Sequence, residues 1–342
     1  MAKPRITLIG LGETGMSIGL ALLKEPGEFE VVGHDRDTAV EAEARRNGAV
    51  HRTEWNLHTA VAGASLVIIA APLKAIVDTF GHIPDDLAPE ALVFAVNGLL
   101  QPVSEAAARL LPGHKRIVAG HPILLRPPAA PSAATFHEAT FCIAAPAHAE
   151  PAAVELASDL VDRIGATPHF VDALEHDGIM AAVDQLPALL SAMLITQNTA
   201  STGWREARQL AGRRFVQTSS LLGNPAEAAA AFALNRDALL PRLAELQRSL
   251  DEWRALIENA DLPAIDAPAE SAPGKSAPPA PSPLLDALMQ AAKEQEKWAE
   301  QAATQRWDET AAAPEGSSGG LFRQLFLGNL GRKKVDDRTS RS

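Results

Sequence analysis

Gly10, Gly12 and Gly15 stand in the run Ile6-Thr7-Leu8-Ile9-Gly10-Leu11-Gly12-Glu13-Thr14-Gly15, a Gly-x-Gly-x-x-Gly spacing suited to holding a pyrophosphate. Gly10 makes the tight turn, Gly12 lets backbone approach the phosphates, and Gly15 lets a following helix pack on the preceding strand. N–H groups at the helix start then face the anion, so Leu11, Glu13 and Thr14 join the glycines as candidate cofactor contacts. The run Glu30-Val31-Val32-Gly33-His34-Asp35 brings a carboxylate about 25 residues after Gly10, close to the spacing of a ribose ligand. Such a carboxylate accepts from both ribose hydroxyls and repels a 2′-phosphate, which favours NAD. Arg36 follows directly and is a cation able to hold that phosphate, so NADP stays open. The ligand these residues suit is a nicotinamide dinucleotide.

These residues need strands that end at a common edge. Beyond the first two, strand candidates are Ser65–Pro72, Ala91–Val96, Arg116–Gly120, Ala139–Ala144 and His169–Val171, with a helix over about 151–164. Continuous apolar strands between helices predict a largely parallel sheet covered on both faces. From about Glu175 the strand signals stop, and helical patterns run over 176–201, 203–222 and 225–260, with a kink at Pro187. The expected organisation is an α/β Rossmann-type nucleotide-binding domain over 1–172 and an all-helical domain over 173–260.

Composition narrows the partners. The chain has 342 residues, 46% of them hydrophobic, and a net charge of −11. That charge argues against general nucleic-acid binding, which needs a basic surface to displace counterions. Cys142 is the single cysteine, so no intramolecular disulfide forms, which fits a reducing compartment. With no apolar signal segment and no uninterrupted apolar run of about 18 residues, the expectation is a cytoplasmic protein without a membrane span. Residues 261–283 read as a Pro/Ala-rich linker and 284–342 as a helical and flexible tail, partly disordered. Within it Leu321, Phe322, Leu325 and Phe326 suggest a short helix docking on a protein partner.

The order of these pieces resembles the prephenate/arogenate dehydrogenase family over about residues 5–258. Carrying the resemblance are Gly10–Ser17, Ala70-Ala71-Pro72, Gly120-His121-Pro122-Ile123, Phe136–Phe141, Asp172-Ala173-Leu174-Glu175-His176-Asp177 and Asp184-Gln185-Leu186-Pro187, followed by Phe215 through Asn235. It implies a Rossmann domain joined to a helical dimerisation domain, a homodimer, and a small-molecule substrate, prephenate or arogenate. It also implies that Ala71 and Pro72 lie with the cofactor. His121 matches the family's catalytic histidine, and a neutral imidazole suits removal of a hydroxyl proton as hydride leaves, a help worth about 10²–10⁴ in rate. Gln185 takes the place of the histidine in the family's Ser-His-Leu-Pro and is the second candidate catalytic residue.

The substrate half departs from the pattern. The serine that would support the histidine falls on Gly98, the arginine that would grip a carboxylate aligns with Ser220, and Leu124 and Leu125 make the pocket floor apolar. A charge-assisted hydrogen bond contributes about 1.5–3 kcal/mol, so losing that arginine corresponds to roughly 10–150-fold in affinity. Arg126, Arg205, Arg208, Arg213 and Arg214 are the cations near these segments. Two alternatives therefore stand beside NAD-dependent oxidative decarboxylation in tyrosine biosynthesis: a dehydrogenase for a different apolar substrate, and a catalytically impaired NAD-binding regulatory homologue. No His/Cys/Asp cluster has metal-ligand spacing.

Overall fold

The computed structural model describes residues 3–25, 27, 29–260 and 282–304. The linker other than its last two residues, and the tail beyond Thr304 with its proposed docking helix, lie outside the described residues. In chain order the elements begin with β1 (Arg5–Ile9), α1 (Glu13–Leu23), β2 (Glu30–His34), α2 (Thr38–Arg46), β3 (Arg52–Thr53) and α3 (Leu57–Val61). Then come β4 (Leu66–Ala70), α4 (Leu73–His82), β5 (Leu92–Val96), α5 (Gln101–Leu110), β6 (Ile117–Ile123), β7 (Thr140–Ala144), α6 (Pro151–Arg163) and β8 (Thr167–Phe170). The strands form one sheet ordered β3-β2-β1-β4-β5-β6-β7-β8.

Alternation along the buried strands divides the core between the two sheet faces. Leu66 and Ile68 of β4, with Leu92 and Phe94 of β5, join a cluster under α1 and α6 through Ile18, Leu22, Leu156 and Leu160. Val67, Ile69, Val93 and Ala95 join the opposite cluster, under α4 and α5 through Ile76, Phe80, Val103 and Ala107. Thr7 is buried among these apolar neighbours, and its hydroxyl donates to the Ala60 carbonyl, so that hydroxyl is not stranded. Strand order reverses between β1 and β4, which puts the C-terminal ends of those strands where ligands gather in this architecture.

The sheet is parallel from β3 through β6, but β7 pairs antiparallel with β6, and β8 runs with β7. The sheet is largely parallel, as expected, with β6–β7 its one antiparallel pairing among the described residues. The connection over 124–139 contains no helix, so the chain doubles back beside β6 rather than crossing over.

The helical part begins with α7 (Ala173–Met180), a π-helical turn over Ala181–Gln185 and α8 (Leu186–Thr199). Pro187 stands in the first turn of α8, where its missing N–H costs least, and the irregularity falls in the turn before it. The expected long helices prove to be shorter. The run 203–222 splits into α9 (Trp204–Leu210) and α10 (Arg213–Ser219), and 225–260 into α11 (Pro225–Leu234) and α12 (Arg236–Glu258). Gly212 and Asn235 sit at the breaks, two residue types that stop helices. A last helix, α13 (Pro283–Thr304), follows the linker. The chain resolves into two compact units, the first ending at Leu239 and the second starting at Leu240.

Ala173–Thr199 is long and apolar enough to cross a membrane by length and composition, with a mean hydropathy of 1.6. Polar interruptions at Asp177, Asp184 and Gln185 hide this in a search for uninterrupted runs. The buried Asp177 carboxylate of this segment accepts from the backbone N–H groups of Leu100 and Gln101 at the start of α5. Helix α7 is thereby tied to the Rossmann sheet.

Candidate active site

At the reversal of strand order, Gly10 has φ +83° and donates its N–H to the His34 carbonyl at 2.9 Å. A side chain there would collide with the Ala70 carbonyl, and one at Gly15 would lie 1.9 Å from the Gly10 oxygen. Gly10 and Gly15 thus bring β1, β4 and α1 into contact. Gly12 differs, because a Cβ there would meet nothing within 4 Å. The space it leaves opens on the start of α1, whose Gly12 N-cap offers no side-chain hydrogen bond. That start is suited to an anion.

Beside the turn lies a cavity of about 300 Å³, bordered by Gly10, Gly12, Asp35, Arg36, Ala71 and Pro72. Leu11, Glu13 and Thr14 belong to the same turn and first helical residues. The Asp35 carboxylate accepts from Leu11 N at 2.7 Å through Oδ2 and from Asp37 N at 2.9 Å through Oδ1. Each oxygen keeps a lone pair, so a ribose diol can still be accepted. Asp35 N is itself held by the buried Glu41 carboxylate at 3.1 Å, which fixes the end of β2. His34 lines the cavity with Nδ1 2.8 Å from the Glu54 carbonyl.

His121 stands past the end of the β5–β6 pairing, on the part of β6 that pairs only with β7. Its Nδ1 lies 3.1 Å from Nε2 of His176, whose own Nδ1 lies 2.8 Å from Asp177 Oδ1. A carboxylate only accepts, so His176 carries a proton on Nδ1. A His176 without a second proton accepts at Nε2 from the Nδ1–H of His121, and that arrangement leaves Nε2 of His121 as a bare lone pair. Position 98 adjoins that atom: a Cβ on Gly98 would be 3.8 Å from it. Burial first, then the neighbouring His176, push the His121 pKa down to about 4 against the opposing pull of Asp177. At neutral pH His121 is an unprotonated base.

Three segments hold this chain of groups. Asp172 accepts from Leu174 N and Glu175 N and so caps α7. Asp177 Oδ1 accepts from Leu100 N at 2.9 Å and Oδ2 from Gln101 N at 3.0 Å, taking up donors at the start of α5. Asn97, in the turn between β5 and α5, donates its backbone N–H to the Gly120 carbonyl and its side-chain amide to the Ala71 carbonyl. That turn therefore touches both the dinucleotide cleft and the strand bearing His121. Sequence spacing marks His176 only as a packing or capping residue and does not single out Asp177. Their adjacency in Glu175-His176-Asp177 was the available signal.

Among the described residues, the hydrogen bonds of Gln185 and Ser220 do not reach His121 directly. Gln185 is buried, and its Oε1 accepts from Asn235 Nδ2, which also donates to the Asp177 carbonyl. Gln185 reaches the histidine pair only through Asn235 and the backbone of Asp177. Ser220 is exposed at the end of α10 and donates to the Gln217 carbonyl. Arg126, Arg205, Arg208, Arg213 and Arg214 are all exposed. Cys142 pairs with His121 across β6 and β7, but burial pushes its thiol up to about 11, too high for a nucleophile. Among the described residues no group of three or more His, Cys, Asp or Glu is placed to hold a metal ion.

Comparison with known proteins covers both the sheet domain and the helical segment. A family model described as prephenate dehydrogenase, nucleotide-binding domain, matches residues 18–169. A second, described as prephenate dehydrogenase, dimerization domain, matches 172–267. The prephenate dehydrogenase of Bacillus subtilis (strain 168) is 26% identical over 269 residues, 76% of this chain and 71% of that one. A structure of prephenate dehydrogenase from A. aeolicus in complex with hydroxyphenyl propionate and NAD+ superposes with a TM-score of 0.73 at 15% identity, covering 87% of this chain and 99% of the other. Synechocystis arogenate dehydrogenase gives 0.67 at 22% identity, covering 86% and 99%. The two solved structures share the fold.

Proposed function

The chain belongs to the prephenate dehydrogenase family, and from that premise we propose that it is an NAD-dependent oxidoreductase acting on prephenate or arogenate by oxidative decarboxylation. The observation that carries this reading is the Asp177–His176–His121 chain, a carboxylate and two imidazoles in successive hydrogen-bond contact. The cleft residues fit a dinucleotide: Gly12 leaves room for a pyrophosphate, the start of α1 offers N–H groups, and Asp35 is poised for a ribose. When bound, the oxidised nicotinamide supplies the hydride acceptor. His121 Nε2 takes the proton of the substrate's ring hydroxyl as that carbon gives up hydride. His176 and Asp177 hold the ring and stabilise the positive charge it gains. As the ring carboxylate leaves as carbon dioxide and the ring becomes aromatic, the electron pair of the broken bond ends on the oxygen, and His121 returns its proton there. A second copy of the chain covers exposed apolar residues of the helical part, among them Leu174, Ile179, Val183 and Met193.

The test is NADH formation by the purified full-length chain with NAD and each substrate. Saturable turnover with one of them is expected; confirmed NAD binding without turnover on either would refute the reading. The exposed Ser220, turned to its own helix backbone, favours a second reading in which the substrate is more apolar and lacks that carboxylate contact. Turnover of ring alcohols that lack the second carboxylate would then exceed turnover of prephenate.

The same assay reads the state of His121. The base must be neutral to act, so a pKa held down to about 4 extends activity towards acid. Between about pH 7.5 and pH 5.5, kcat/KM is expected to change less than twofold, whereas an imidazole at its ordinary value near 6.5 would lose roughly tenfold. An acid limb centred near 6.5 would overturn the lowered His121 pKa or its role as the base, and repeating the profile with His121→Gln would tell which.

A further inference from the structure

The rim of the dinucleotide cavity carries a charge arrangement that the reaction does not use. Arg36 follows the ribose carboxylate Asp35 and lines the cavity. Its guanidinium turns to Asp78 on α4, with Nη2 3.6 Å from Oδ2. Lys74, one turn earlier on α4, brings its Nζ to 3.1 Å and 3.0 Å from the two Asp78 oxygens. Ala75 and Thr79 of the same helix border the cavity, as does His82, whose Nδ1 lies against the Asp78 carbonyl. Arg36 of the cavity lining and Lys74 of the adjoining helix therefore converge on one carboxylate, and Asp35 lies beside Arg36 in the lining.

We propose that Asp78 sets the choice of dinucleotide by occupying Arg36 and Lys74, the two cations that would otherwise receive a 2′-phosphate. The proposal rests on the dinucleotide reading of the cleft and adds a specificity residue to it. A 2′-phosphate beside the Asp35 diol position needs cationic donors that are free to turn towards it. With Asp78 present, the local charge of Arg36, Lys74, Asp35 and Asp78 sums to zero, and the phosphate meets a second carboxylate. Without it the sum is positive, and both cations lose their competing partner. Because Arg36 and Lys74 are largely exposed, the ion pairs hold little stability of their own. Their effect is on which anion the rim accepts.

Asp78→Asn tests this in the full chain, with AMP and 2′-phospho-AMP titrated by calorimetry at low and at physiological salt. The ratio of 2′-phospho-AMP to AMP affinity is expected to rise by about tenfold at low salt and by less when screened. Adding Arg36→Ala to Asp78→Asn is expected to remove most of the gain. AMP saturating both proteins with an unchanged ratio overturns the role of Asp78 and leaves the cleft reading intact. Failure of AMP and NAD to saturate either protein overturns both.

Discussion

His121→Gln is expected to lower kcat by about 10²–10⁴ while NAD still binds. Glutamine can donate through its amide to His176 Nε2, as the Nδ1–H of His121 does across 3.1 Å, so the packing around the site has a plausible substitute. It cannot accept a proton near neutral pH, so the loss should fall on the chemical step. The residues proposed to hold the dinucleotide lie in the turn after β1 and at Asp35, and cofactor affinity should therefore stay within about twofold on the ordinary independence of separated sites. Stopped-flow measurement of the first turnover separates the chemical step from product release. If kcat falls less than tenfold with single-turnover rates intact, proton abstraction by His121 is not the step that matters.

What could be read in the residue order was what is local in the chain. The glycine turn lies within six residues, and Asp35 follows at the spacing a βαβ unit imposes, so both halves of the cleft were legible. The direction of β7 was not, because Thr140–Ala144 has the same apolar pattern whichever way it runs. Breaks at Gly212 and Asn235 carried their usual stop signals, yet the apolar periodicity continued across them and masked the ends. The histidine chain was the least legible part. His121, the turn over Asn97–Leu100 and His176-Asp177 come together only because the sheet places the ends of β5 and β6 side by side and α7 is anchored to the start of α5. Periodicity gives a buried His176 the appearance of a packing residue. Its role depends on a partner 55 positions away.

Asp177→Asn is the sharper test of that chain, because it alters no atom of His121. Three donors converge on the carboxylate: the N–H groups of Leu100 and Gln101 and Nδ1–H of His176. An amide can satisfy them in neither orientation. With its oxygen at the Oδ1 position, the amide keeps Leu100 and His176 but sets its own NH2 against Gln101 N–H. Turned over, it keeps Gln101, opposes Leu100 N–H, and donates to His176 Nδ1. His176 would then carry its proton on Nε2 and donate to His121, moving the His121 proton onto the atom that must act as base. Either arrangement removes the negative charge that stabilises the proton taken up by His121. Stability is expected to fall by about 1–3 kcal/mol for the stranded N–H, and kcat by about 10²-fold or more, as for a general base that loses its orienting acid. A purely structural role for Asp177 would also reduce stability, so the decisive measurement is the double variant. If Asp177 works through His121, adding Asp177→Asn to His121→Gln leaves the residual rate of the folded enzyme within about threefold, far short of the product of the two losses. Multiplying losses would place Asp177 outside the proton path and reduce it to an anchor for α5.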